Sequence, residues 1–126
     1  MNWAYLDSSW LVGIAFGESG ASRLKRRHRS FDRLFSSNLL EAEVAAALHR
    51  EHVPWDDRIL TGVDWVIPSR PLSGEIRTVL EAGCLRGADL WHLATALYLA
   101  PNPQELPFLT LDQGQATVAR ALGFPG

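Results

Sequence analysis

The sequence predicts an α/β domain in which helices cover both faces of a mostly parallel sheet. Four short apolar runs have the length and composition of buried strands. Helical stretches separate these runs, so that consecutive strands need right-handed crossover connections and run parallel. A chain of 126 residues, 47% hydrophobic and 21% charged, has the size and composition of one folded domain, which we place at residues 1–126.

The first 67 residues of the chain carry three of the predicted strands. They lie at residues 3–6, 31–36 and 64–67. Ser8 or Ser9 is a suitable cap for a helix that follows the first strand. The later connections hold helices at residues 21–29, 39–51 and, more briefly, 55–61. Apolar residues recur every fourth position in the helix over 39–51, which gives it one buried stripe of Leu40, Val44 and Leu48.

The second half of the chain alternates in the same way. A helix ends at about Ala82, and the most apolar helix, over residues 90–99, is expected to be buried on most sides. The fourth strand is predicted at 108–111 and a final helix at 115–122. Glycines follow two of these helices, as is common at helix ends: Gly83 and Gly123.

Basic residues are concentrated in one stretch, although the net charge is -2. Six of the 12 Lys and Arg residues fall between positions 23 and 33. Because local potential steers association more than net charge does, a polyanion can bind here. The alternative is a solvated helix face. The candidate binding residues on the predicted helix are Arg23, Lys25, Arg26, Arg27 and Arg29.

The composition favours a cytoplasmic protein. We expect no secretory signal, because the start of the chain lacks a basic region followed by an apolar one. The longest apolar stretch, residues 90–100, is shorter than the roughly 20 residues that a membrane span needs. The single cysteine, Cys84, is compatible with a reducing compartment and reads as a small buried hydrophobe.

Two acids follow predicted strands directly. Asp7 comes after the first strand and Asp112 after the fourth. In an open parallel sheet the chemistry lies at the carboxyl ends of the strands, so both positions are candidates for an active site. The alternative for either residue is an ordinary turn or helix-capping role.

Two further acids are candidates for the same site. Glu41 lies, by its helical angle, beside the apolar stripe, whereas Glu43 is expected to point away from it. A capping box with Asn38 is the alternative role for Glu41. Asp89 begins a nearly apolar helix and is therefore expected close to the core, although an acid in a first helical turn is also favoured by the helix dipole.

Carboxylates gathered at one edge repel each other unless a cation neutralises them. Oxygen ligands without a cysteine cluster or paired histidines suit Mg²⁺ or Mn²⁺ rather than zinc. Ser9 and Thr110 each lie two residues from an acid and are auxiliary candidates that can orient a carboxylate or water. For His92 we favour a packed or hydrogen-bonded role. An acidic metal site beside a basic helix is the arrangement that a nuclease uses.

Four blocks of this sequence, in this order and spacing, resemble a PIN domain. They are residues 5–9, residues 38–44 around Glu41, residues 85–96 around Asp89, and residues 109–123 beginning with Leu109-Thr110-Leu111-Asp112. The match covers nearly the whole chain and is most similar to the VapC-type toxins of type II toxin-antitoxin pairs.

The resemblance implies a three-layer α/β/α fold and a Mg²⁺- or Mn²⁺-dependent endoribonuclease that acts on tRNA or another structured RNA. It also implies a homodimer and inhibition by a small cognate antitoxin. By position, Asp7, Glu41, Asp89 and Asp112 are the catalytic and metal-binding acids, and Ser9 is the hydroxyl after the first. The chain departs from the pattern at Gln113-Gly114-Gln115-Ala116, where many relatives carry a further acid.

Three alternatives stand beside this interpretation. A phosphoacceptor receiver domain shares the alternation of strands and helices, but it needs a lysine near the last strand, and the only lysine is Lys25. A catalytically silent PIN domain that binds RNA or protein conflicts with acids at all four positions. A PIN nuclease that matures RNA outside a toxin pair has the same sequence features.

Overall fold

The computed structural model of the chain describes residues 2–17 and 19–126. Within these residues, strands and helices alternate along the chain. The strands are β1 (Trp3–Leu6), β2 (Arg33–Ser37), β3 (Val63–Val66) and β4 (Phe108–Leu109). The α-helices are α1 (Ser8–Phe16), α2 (Ala21–Arg29), α3 (Leu40–Arg50), α4 (Ser73–Ala82), α5 (Gly87–Leu99) and α6 (Gln113–Leu122). Short 3₁₀ helices lie at Asp57–Leu60 and Pro103–Glu105.

The four strands form one parallel sheet in the order β3-β2-β1-β4. The first strand of the chain is therefore an inner strand, between β2 and β4. Its register pairs Tyr5 with Phe35 on one side and with Phe108 on the other. The predicted parallel sheet is thus confirmed, and the carboxyl ends of all four strands lie at the same edge.

Helices cover both faces of this sheet, as predicted. Successive side chains of a strand point to opposite faces, and β1 accordingly contributes Tyr5 to one hydrophobic cluster and Ala4 and Leu6 to another. The Tyr5 cluster includes residues of α4, α5 and α6, whereas the other includes residues of α1 and α3. The result is a three-layer α/β/α arrangement with a core on each side of the sheet. Cys84 was expected to be buried in this core, but it is exposed between α4 and α5.

The predicted bounds are right for β1 and α2, and they shift at most other elements. Helix α5 begins at Gly87, three residues earlier than predicted, which places Asp89 in its first turn. Strand β4 is only two residues long, because the amide of Leu111 donates to the Ser9 hydroxyl instead of continuing the sheet. The backbone amide of Phe108 donates to the Pro125 carbonyl at 2.8 Å.

The helix cap predicted for α1 is wrong, and one alternative considered for α3 is not observed. Helix α1 begins at Ser8, so Asp7 is its cap and accepts the amide of Trp10 at 3.3 Å, while Ser9 already lies within the helix. Helix α3 begins at Leu40 after Leu39, with no side-chain cap, so the capping box with Asn38 that was the alternative role for Glu41 does not form. No helix of the described part of the chain is long and apolar enough to cross a membrane.

Gly83 tests how tightly α4 packs on α6. A methyl group at Gly83 would lie 2.5 Å from Cγ2 of Val118, a buried and stiff side chain. We expect Gly83→Ala to lower the free energy of unfolding by about 1–3 kcal/mol through overpacking. Gly74→Ala in the same helix is the matched control, because nothing lies within 4 Å of its added methyl group.

Urea unfolding at 25 °C measures both variants. Gly74→Ala is expected to be neutral or to stabilise by up to about 1 kcal/mol through helix propensity. Equal effects of the two substitutions would contradict the packing of α4 against α6.

Candidate active site

Asp7 is the buried centre of the site, only 3% exposed. Its Oδ1 accepts the Ser9 hydroxyl at 2.8 Å and the Trp10 amide, and its Oδ2 accepts the Thr110 hydroxyl at 2.9 Å. Burial raises the pKa of Asp7 from 3.8 to about 6, although the bonds from Ser9 and Thr110 favour the charged form. The ionised carboxylate is therefore held at a cost in free energy.

Ser9 and Thr110 join the carboxyl ends of β1 and β4. The Ser9 oxygen also accepts the amide of Leu111 at 2.8 Å and lies 3.1 Å from the Thr110 hydroxyl. The Thr110 oxygen accepts the amide of Asp112 at 3.0 Å. Both auxiliary residues predicted from the sequence thus contact Asp7, and they connect it to the turn that carries Asp112.

Gln115 is a buried residue of the site whose role the sequence did not reveal. Its side chain, 0% exposed, places Oε1 at 3.1 Å from the Thr110 hydroxyl and donates from Nε2 to the backbone carbonyl of Asp89 at 3.2 Å. Its own amide donates to Oδ1 of Asp112 at 2.8 Å. One neutral amide therefore links β4, α5 and the start of α6. The sequence offered one signal for this role: Gln115 lies three residues after Asp112, where the amide of a helix donates to its capping acid.

Thr110 has one proton for two acceptors. Both Oδ2 of Asp7 and Oε1 of Gln115 lie within hydrogen-bond distance of its hydroxyl. The charged acceptor forms the stronger bond, so Asp7 takes the proton and the oxygen of Gln115 receives none from Thr110. Asp7 and Gln115 therefore compete for the hydroxyl proton of Thr110, and the ionised Asp7 wins.

Asp89 and Asp112 lie near each other at the same edge. The half-buried Asp89 has a raised pKa, first because of burial and then because of the negative charges of Asp112 and Glu43. Asp112 is exposed and caps α6. The arrangement concentrates negative charge that the hydrogen bonds around it do not neutralise.

Glu43, rather than Glu41, faces this group of acids. Glu43 is half-buried, and its Oε1 lies 2.6 Å from Nε2 of His92. Glu41 is exposed, and its carboxylate makes no hydrogen bond or ion pair with any described residue. The expected orientations of the two glutamates are therefore wrong. Both flank the apolar stripe of α3, and only the flank with Glu43 is covered by α5.

His92 is packed and hydrogen-bonded, in agreement with the interpretation favoured from the sequence. It is 1% exposed, its Nδ1 lies 2.8 Å from the Tyr5 hydroxyl, and its ring meets the Tyr5 ring edge-on at 5.8 Å. His92 follows Asp89 by three residues and so lies on the same face of α5.

The donor chemistry of this edge fits Mg²⁺ or Mn²⁺. Its carboxylates are hard oxygen ligands without a neighbouring thiolate. Across residues 2–17 and 19–126, no three His, Cys, Asp or Glu side chains stand close enough to hold an ion together. Mutual repulsion keeps like charges apart, and a divalent cation is what would draw Asp7, Glu43, Asp89 and Asp112 together.

The basic residues of α2 line several adjoining stretches of surface, and Lys25, Arg26 and Arg29 share a cavity of about 340 Å³. Arg23 and Arg26 line an open cavity of about 540 Å³ whose wall includes Leu111, the residue between Thr110 and Asp112. Lys25 and Arg29 line another, of about 740 Å³, between α1, α2 and residues 53–61. Arg27 donates to the carbonyl oxygen of Gly126, and its guanidinium lies 5.9 Å from the Phe31 ring centre.

The raised pKa of Asp7 predicts a stability that falls with pH. Between about pH 4 and pH 6 the folded protein binds this proton more tightly than the unfolded chain, so the free energy of unfolding decreases as Asp7 ionises. Asp7→Asn removes this loss of stability, because asparagine does not ionise. Its amide nitrogen can also donate to the Thr110 oxygen, and the Thr110 hydroxyl can then donate to Oε1 of Gln115. In EDTA above pH 7 we expect the variant to be more stable by about 1–3 kcal/mol, since one pKa unit corresponds to about 1.4 kcal/mol.

Urea unfolding from pH 4 to pH 8 checks this prediction. Glu81→Gln, on the exposed face of α4, is the control and should leave the pH profile of the wild type unchanged. An Asp7→Asn variant that is no more stable than the wild type at pH 7.5 would contradict it.

The comparison with family models gives one match that spans this site. The model of the PIN domain matches residues 4–121, which include most of β1, all the acids described above and most of α6. No curated protein and no solved structure matches the chain significantly. PIN domains are generally metal-dependent nucleases. With a match over nearly its full length, this chain belongs to the PIN-domain family.

Proposed function

We propose that this chain is a Mg²⁺- or Mn²⁺-dependent endoribonuclease that hydrolyses phosphodiester bonds of tRNA or another structured RNA. The observation that carries the proposal is the gathering of acids from four elements at one edge of the sheet. Negative charges from Glu43 and Asp112 contribute to the raised pKa of Asp89. Asp7 is buried at the end of β1, and the Thr110 hydroxyl that donates to it also accepts the amide of Asp112. Such a group is stabilised by a divalent cation.

Asp7, Glu43, Asp89 and Asp112 are the residues that we expect to hold the metal. When bound, a divalent ion lowers the pKa of a coordinated water and stabilises charge on the phosphate oxygens. Ser9 and Thr110 hold the Asp7 carboxylate in one orientation. Gln115 fixes the backbone of Asp89 against the start of α6. We assign to Glu43 the role that the sequence suggested for Glu41.

Arg23 and Arg26 are the best-placed contacts for the RNA backbone. Their cavity shares Leu111, 43% exposed, with the turn between Thr110 and Asp112. A strand of RNA whose phosphates follow these arginines would reach Leu111, the residue before Asp112 in the chain. Arginine contacts to phosphate give affinity without reading sequence, which suits a nuclease that recognises RNA by its shape. Arg27 is already engaged with Gly126 and Phe31.

The biological role that we propose is the toxin of a toxin-antitoxin pair. The support is the order of sequence blocks, which resembles VapC-type toxins, together with membership of the PIN-domain family. A cytoplasmic homodimer inhibited by a cognate antitoxin is part of the same proposal. Growth arrest on induced expression, absent for Asp7→Asn, would support a toxin. Unimpaired growth with RNA cleavage in vitro would favour a role in RNA maturation.

A pair of substitutions in α3 tests the acidic site. We expect Glu43→Gln to lower Mn²⁺-dependent cleavage of structured RNA by on the order of 100-fold, since even an outer partner of a metal ligand contributes 10–100-fold. Glu41→Gln, two residues away and exposed, should retain activity close to that of the wild type, because its side chain lies outside the group of acids. Initial rates are measured with Mn²⁺ and with EDTA.

The controls separate cleavage by this chain from contamination. Activity that persists in EDTA, or in Asp7→Asn, would overturn the proposed function. Activity lost in Glu41→Gln but kept in Glu43→Gln would return the role to Glu41.

The salt dependence of RNA binding tests the basic surface. In EDTA, which prevents cleavage, the double variant Arg23→Gln, Arg26→Gln should bind RNA more weakly. The slope of log K against log salt should shrink by about 1.4, or about 0.7 for each phosphate contact to a single strand. The matched control removes two charges elsewhere, Arg50→Gln with Arg77→Gln, both exposed. Equal slopes for the two double variants would show that this face of α2 is merely solvated.

A further inference from the structure

We propose that His92 is a positioning residue that holds Glu43 toward the other acids. The inference rests on the proposed function, because it assigns His92 a task in metal binding at the same site. His92 lies between two partners, with Nδ1 at 2.8 Å from the Tyr5 hydroxyl and Nε2 at 2.6 Å from Oε1 of Glu43.

The direction of these two hydrogen bonds follows from the chemistry of the partners. An ionised carboxylate only accepts, so Nε2 of His92 carries a proton and donates to Glu43. In the neutral ring Nδ1 is then an acceptor, and the Tyr5 hydroxyl donates to it. Burial raises the pKa of Tyr5, which keeps this hydroxyl protonated. Tyr5 thus selects the tautomer of His92 that binds Glu43.

Both supporting rings are fixed in the core. Tyr5 is 0% exposed in an inner strand, and its ring stacks on Phe108 with centroids 5.3 Å apart and planes 10° apart. The His92 ring is held edge-on against Tyr5. Because the His92 ring cannot rotate freely, its Nε2 points in one direction and holds the Glu43 carboxylate in one place.

Glu43 needs such a partner because its surroundings repel it. The side chain is 24% exposed, and the negative charge of Asp89 lies close enough to be affected by it. Without a donor on the protein side, repulsion from Asp89 favours rotation of the flexible glutamate toward water. The hydrogen bond from His92 also joins α3 on one face of the sheet to α5 on the other.

The role differs from that of a residue that only fills the core. A histidine that merely packs would affect folding stability, and its loss would leave metal affinity unchanged in the folded protein. A positioning histidine controls the geometry of a ligand, and loss of such partners typically weakens metal binding 10–100-fold. The two roles therefore separate in a binding measurement.

Two amide substitutions imitate the two nitrogens of the ring. In His92→Gln the amide nitrogen can approach the place of Nε2 and donate to Glu43, whereas in His92→Asn it reaches only the place of Nδ1. Titration with Mn²⁺, followed by the EPR signal of the free ion, gives the affinity without any activity assay. We expect His92→Asn to weaken binding by about 10–100-fold and His92→Gln to restore most of it.

A double-mutant cycle completes the test. If His92 acts through Glu43, the variant Glu43→Gln, His92→Asn binds Mn²⁺ no more weakly than Glu43→Gln alone. Additive losses, or wild-type affinity of a folded His92→Asn, would overturn the inference. Urea unfolding of each variant confirms that the folded protein is the species titrated.

Asp89→Asn distinguishes the failure of this inference from the failure of the proposed function. If Asp89→Asn loses Mn²⁺ while His92→Asn keeps it, the acidic site stands and His92 is only structural. If the wild type itself binds no Mn²⁺, or Asp89→Asn binds as well as the wild type, the metal-dependent function fails and the inference fails with it.

Discussion

The burial of one carboxylate, that of Asp7, is the constraint on which the site depends. A charge at 3% exposure must be hydrogen-bonded, and the donors come from the two elements beside it: the amide of Trp10 and hydroxyl of Ser9 in α1, and the hydroxyl of Thr110 after β4. The same bonds begin α1, join the ends of β1 and β4, and set the direction in which the chain leaves the sheet. The hydrogen bonds that shape the chain at this edge are therefore the same ones that hold the charge of Asp7 in place.

Features that follow from short-range patterns could be predicted from the sequence. Strand β1 and helix α2 have clear composition and clear ends, and an acid directly after a strand in a parallel sheet must lie at the carboxyl edge, which located Asp7 and Asp112. Contacts between elements could not be read in this way. An apolar stripe on α3 has two flanks, and periodicity does not say that α5 covers the flank with Glu43 and leaves Glu41 in water. Gln115 is an ordinary helical residue until α5 supplies the carbonyl of Asp89.

The contacts of the basic residues of α2 could not be predicted from the sequence either. Five basic residues on one short helix necessarily point in several directions, because neighbouring positions are separated by about 100°. Arg23 and Arg26 approach the acidic edge through Leu111, whereas Arg27 lies against Phe31 and Gly126. Within the described residues, no basic side chain of α2 forms an ion pair with the acids of the site. Each kind of charge stays available to a ligand of opposite sign.

The pairing of β1 with β4 joins two parts of the domain that are far apart in the sequence. Thr110 is 103 residues away from the Asp7 carboxylate that it holds, and β4 is the last strand to emerge. Domains complete such distant pairings only after most of the chain is available. A nascent chain that already carries Asp7, Glu43 and Asp89 still lacks the strand and helix that close the site. The acidic site is therefore assembled only after β4 and α6 have packed onto the rest of the domain.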